Sequence, residues 1–149
     1  MTTPDPVRAL LRARGCPDWL VAGGIPALVE RWEGTVRSVE VGYAFTLDDY
    51  LNDLDLRLLL QVALEAAEGN DTEGDRAGTA GRGALAESRA AVAVIDKRLR
   101  AATLPSRCLW GSDVEWEEGH SPEREWWYYR RPAKLTDELR EELDTWGLL

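Results

Sequence analysis

The sequence predicts an all-α, or mostly α, domain of four or five main helices, followed by an irregular tryptophan-rich C-terminal segment with room for a short β-hairpin. Three observations carry that expectation. Apolar residues recur at steps of three and four through 25–67 and again through 84–103, the spacing that lines one face of a helix. Thr46 stands three residues before Asp49, the pattern of a capping box at a helix N-terminus. After Leu104-Pro105 the composition turns to Trp, Tyr and acid, and the aromatics follow no helical period.

Taken in order, Asp5-Pro6 with Val7, Leu10 and Leu11 reads as a short first helix ending at Gly15, with proline tolerated in the first turn. Pro17 opens a brief helical turn over 18–21 that stops at Gly23-Gly24, and Trp19 is expected to anchor it by packing. Ile25, Leu28, Trp32, Val36, Val39 and Tyr43 then form an inner face closed by Gly42. Leu47, Tyr50, Leu51, Leu54 and Leu58 form the next, on a helix that runs to Ala67 or breaks at Asp55. Leu58, Leu59, Leu60, Val62 and Leu64 are apolar nearly all round and are expected at the centre of the core.

Residues 68–83 hold five glycines and no large apolar side chain, which predicts a mobile loop. Its Gly78-Thr79-Ala80-Gly81-Arg82-Gly83 run lacks the Lys-Ser/Thr ending and the preceding strand of a phosphate loop. From Ala84 to Thr103 a stripe of Leu85, Ser88, Val92, Ile95, Leu99 and Ala102 predicts a helix, with Lys97, Arg98 and Arg100 on a solvated C-terminal end. A final helix starts after Thr136, with Leu139, Leu143 and Trp146 facing in.

The 149 residues fit one domain over 1–149, and 44% hydrophobic with 30% charged residues is ordinary for a folded soluble chain. The net charge of −9 argues against a sequence-independent grip on nucleic acid or anionic membrane, which needs clustered Lys and Arg, and favours a basic or neutral partner. Cys16 and Cys108 stand far apart with no metal-type spacing and are read as buried free thiols. No basic stretch leads into an apolar run at the N-terminus, so a cytoplasmic location is expected.

Two segments carry candidate chemistry. The first is Asp48-Asp49 with Asp53, hard oxygen ligands that as a set would hold Mg²⁺ against a phosphate. Over six residues it resembles the aspartate-rich motif of the isoprenoid synthases, an all-helical family in which carboxylates hold metal ions against a diphosphate. The third acid stands one position late for that motif, no second acidic motif follows, and the chain is short for such a helical barrel. Glu117-Glu118-Gly119-His120 has the Glu-x-x-His spacing of di-metal bundles, but His120 is the single histidine, so these groups read as solvent-facing polarity.

The second segment is the tail, where Asp113, Glu115, Glu117, Glu118, Glu123 and Glu125 stand against Arg124 alone and lead into Trp126-Trp127-Tyr128-Tyr129-Arg130-Arg131. Neither helix nor strand puts those four aromatics on one face, so the run is either sandwiched inside the fold or offered to a partner. In the second case the contact residues are Asp113, Glu115, Trp116, Glu117, Trp126, Trp127, Tyr129 and Arg130, aromatic and charged types that dominate binding hot spots. The leading expectation is a non-enzymatic, acidic intracellular protein-binding module without a cofactor, with an immunity protein or antitoxin capturing a basic toxin as its concrete form. The alternatives are a Mg²⁺-dependent phosphohydrolase using Asp48, Asp49 and Asp53, and a structural subunit or homodimer whose seam is the 85–102 stripe.

Overall fold

Asp5 starts the first helix, α1 (Pro6–Ala13), by accepting from the backbone N–H of Val7 at 3.0 Å, and Gly15 ends it. The computed structural model describes the backbone of residues 5–72 and 78–149 and the side chains of 5–69 and 82–149. Among them are six α-helices and one two-stranded antiparallel sheet. The second helix, α2 (Asp18–Val41), is broken at Gly24, whose φ of 60° and ψ of −146° are all but closed to residues with a Cβ. The sharp turn there separates the segment bearing Trp19 from the long helix bearing Trp32. Trp19 is not the packing anchor its position suggested. It is 54% exposed, with the Arg31 guanidinium 5.3 Å above its ring.

The capping box forms as its residues predict. The Thr46 hydroxyl accepts from the Asp49 N–H at 3.1 Å, while Asp49 accepts from the Thr46 N–H at 3.1 Å and from its hydroxyl at 2.9 Å. From it runs α3 (Leu47–Thr72), unbroken at Asp55. Thr46→Ala is expected to cost about 1 kcal/mol by removing this cap. Urea unfolding measures it, and an unchanged midpoint would show that the helix start is held by packing alone.

The glycine-rich loop expected over 68–83 has helical flanks, since α3 reaches Thr72 and α4 (Gly78–Ala101) starts at Gly78; residues 73–77 lie outside the described residues. α4 packs on α2 and α3. Val92, Ile95 and Leu99 of its apolar stripe are buried in this chain's own core, and Leu85 and Ala102 at the ends of the stripe are partly buried against it. Trp32, Leu54, Ile95 and Leu143 share one interior with Leu60, Leu64, Tyr43 and Tyr50.

The last third hangs on a short strand pair. β1 (Thr103–Pro105) runs antiparallel to β2 (Arg130–Pro132), with Thr103 opposite Pro132. The chain between them carries α5 (Ser112–Glu118) and one 3₁₀ turn, Trp126–Tyr129. After β2, Thr136 caps α6 (Asp137–Thr145) by accepting from the Leu139 N–H at 3.3 Å. Gly147, at φ 67°, then reverses the chain so that the Leu148 N–H reaches the Leu143 carbonyl at 2.8 Å and the Leu148 side chain is buried. That reversal leaves Trp146 outside, 69% exposed, where helical spacing alone had placed it inside. Among the described residues no helix is long and apolar enough to cross a membrane.

Candidate functional site

The carboxylates of α3 are distributed to separate tasks. Asp49 belongs to the cap, Asp53 accepts the Tyr43 hydroxyl at 2.5 Å, and Asp55 accepts the Tyr128 hydroxyl at 2.6 Å and the Trp110 indole N–H at 3.2 Å. Asp48 is exposed and has no partner among the described residues. Of the three acids whose spacing suggested a Mg²⁺ ligand set, Asp49 and Asp53 are thus engaged in hydrogen bonds within the chain. Among the described residues no group of three or more His, Cys, Asp or Glu is arranged to hold a metal ion.

Burial raises the Asp53 carboxyl above the usual range despite the hydrogen bond from Tyr43, and it pushes the Tyr43 hydroxyl up as well. A carboxyl whose folded-state value is raised holds its proton more tightly in the folded chain. Its contribution to stability is thus fully present below the unfolded value, about 3.9, and is lost as pH rises through the raised folded value. Asp53→Asn keeps an acceptor for Tyr43 and is expected to remove that loss, leaving the variant at least as stable as the parent at pH 7. Urea unfolding across the acid range checks it. A variant less stable at pH 7 with the same pH dependence would contradict the assignment.

The aromatic run supplies structure. Trp127 and Tyr128 are 1% exposed, so Trp127 offers no surface to a partner. The Arg100 guanidinium covers the Trp126 ring at 3.9 Å, and the Tyr129 hydroxyl donates to Glu115. Arg130 donates to the Thr103 hydroxyl at 2.8 Å and to the carbonyls of Thr103 and Arg100 at 3.0 and 3.1 Å, while its own carbonyl accepts from Tyr50 at 3.0 Å. Trp127 is therefore core, while Trp126, Tyr129 and Arg130 are half-buried and tie the 3₁₀ turn and β2 to α4, α5 and β1.

Beneath them lies a polar centre that periodicity did not reveal. Arg57 of α3 makes a two-pronged bond to Asp96 of α4, Nε to Oδ1 at 3.0 Å and Nη2 to Oδ2 at 2.9 Å, with both side chains largely buried. Trp32 donates its indole N–H to the same Asp96 at 2.9 Å, and the Arg57 guanidinium lies 4.6 Å from the centre of the Trp127 ring. Arg98 also leaves the solvated role expected of it. It bridges to Glu40 on α2 at 2.5 Å and holds that carboxyl below its ordinary range.

What remains free lies around α5. Asp113, Trp116 and Glu117 are exposed, Trp116 to 88%. Beside them a cleft of about 810 Å³ opens between the start of α3, the 107–111 loop, α5 and the end of α6. Leu47, Leu51, Leu109 and Leu148 give it apolar surface, Trp110 and Trp146 line it, and Asp48, Asp113 and Glu115 supply three acids against Arg107. Arg107 donates to the carbonyls of Gly147 and Trp146 at 2.7 and 3.5 Å, which fastens the α6 turn. Cys108 and Tyr129 also line the cleft, and burial pushes both the thiol and the hydroxyl up. Such a thiol stays protonated at neutral pH and is a poor nucleophile.

Cys16 and Cys108 are free thiols, Cys16 only half-buried. His120 is not solvent-facing. Its side chain is 8% exposed, tilted against Tyr128 with ring centres 4.7 Å apart, and its Nδ1 lies 3.3 Å from Glu125 while Glu117 points outward. The site offers indoles and carboxylates, a chemistry that binds cations. No protein-family model matches the chain, and no curated protein or solved structure matches it.

Proposed function

We propose that the chain is a cytoplasmic protein-binding module that captures a basic partner through α5 and the cleft beside it. Capture of a basic toxin, the role of an immunity protein or antitoxin, is its concrete form. The observation that carries the reading is Trp116, an indole 88% exposed between exposed Asp113 and Glu117 on a helix that buries none of its residues. No packing need accounts for a tryptophan there, whereas docking would take its ring out of water beside charges that attract a cationic surface. The net charge of −9 adds long-range attraction for such a partner.

The test is capture on the immobilised chain from cells of the native host, followed by dissociation constants for the protein retained. Trp116→Ala and Glu117→Lys are each expected to weaken the complex about tenfold or more, with unchanged thermal unfolding of the free chain. Binding that is indifferent to both substitutions would remove α5 from the interface and the reading with it.

A further inference from the structure

We infer that the cleft between α3, α5 and α6 seats an arginine side chain from an extended segment of the captured partner. This rests on the reading of the chain as a protein-binding module and names the group that its cleft recognises. The chain shows its own way of holding guanidinium groups. Arg31 lies over Trp19, Arg100 over Trp126 and Arg57 over Trp127, at 5.3, 3.9 and 4.6 Å from the ring centres. Arg57 adds the two-pronged bond to Asp96, so an indole face and a carboxylate grip the cation together.

The lining of the cleft holds the same kinds of group, and among the described residues no guanidinium is stacked on its indoles. Trp110 and Trp146 supply indoles, and Trp146 is left 69% exposed by the turn at Gly147. Asp48 comes from the start of α3 and Asp113 from the start of α5, and neither carboxylate has a partner among the described residues. Arg107, the cation in the lining, is held by the carbonyls of Gly147 and Trp146 and forms no ion pair with either carboxylate. Leucines of the lining give apolar surface for the methylene stem of an entering side chain. Arginine suits the site better than lysine, because a planar guanidinium stacks on an indole while its fork of donors serves carboxylates on two walls. At about 810 Å³ the cleft exceeds one side chain and has room for the residues flanking it.

The test uses the full chain labelled with ¹⁵N and three capped tripeptides, leucine-arginine-leucine and its citrulline and lysine counterparts, titrated while the indole N–H signals are followed. The arginine peptide is expected to shift the Trp110 and Trp146 signals saturably and to bind about tenfold tighter than the citrulline peptide, which has the same shape without the charge. The lysine peptide is expected to bind several-fold more weakly than the arginine peptide. Asp48→Asn with Asp113→Asn, two exposed positions whose replacement leaves the core untouched, is expected to abolish the preference for arginine. Equal binding of citrulline or lysine, or shifts spread over the acidic surface that survive the double substitution, would overturn the proposal. A silent titration alongside Trp116-dependent capture would sink the arginine seat and leave the module standing. Peptide binding in a chain whose capture ignores Trp116 would do the reverse.

Discussion

Arg57→Met is expected to destabilise the chain by about 3–5 kcal/mol, the cost of leaving one member of a buried ion pair without its partner. The substitution removes both guanidinium bonds to Asp96 and the cation lying over Trp127, while the carboxylate stays among α2, α3 and α4 with only the Trp32 indole to serve it. Replacing both partners, Arg57→Met with Asp96→Leu, is expected to recover most of that loss, because no charge is then buried unpaired. Urea unfolding of the two singles and the double separates the pair's coupling from the cost of stranding a charge. Single variants that lose less than about 1 kcal/mol would mean that water reaches the pair.

Trp127→Ala is expected to cost about 3–5 kcal/mol, as deletion of a buried indole generally does. Trp116→Ala is expected to change stability by no more than about 0.5 kcal/mol, as surface substitutions do. The contrast follows from exposures of 1% and 88% for two tryptophans in the same acidic, aromatic tail. Equal effects in urea unfolding would erase the division between residues that build the fold and residues left for a partner.

The helices were legible because their signals are local. Thr46 and Asp49 satisfy one another's backbone and side-chain groups within one turn, and the apolar steps from Leu28 to Leu64 need only a helical period to be read. The tail was less legible because a 3₁₀ turn has three residues per turn, a period that neither the helical nor the strand reading tries. Trp126 and Tyr129 recur on one side of it, while Trp127 and Tyr128 go inward. Trp146 was misplaced because α6 ends at Thr145, one residue before it, and Gly147 brings Leu148 back in its stead.

The Arg57–Asp96 pair did leave a trace in the sequence, a lone arginine in the otherwise apolar run 56–60. A charge in such surroundings must find a partner or go unsolvated. Which acid serves it depends on how α4 lies against α3, and that is tertiary information. The same holds for Asp53 and Asp55. Asp53 was expected to join Asp48 and Asp49 as a metal ligand and Asp55 to break the helix, but the aromatic hydroxyls they accept come from Tyr43, before the helix, and Tyr128, in the tail.

The seven tryptophans offer the most direct test of how this chain divides its aromatic side chains, because each indole N–H gives its own signal in a ¹⁵N spectrum. On addition of the captured partner, the signals of Trp110, Trp116 and Trp146 are expected to move while those of Trp32, Trp126 and Trp127 stay in place. Movement of Trp126 and Trp127 with Trp116 unchanged would contradict the account.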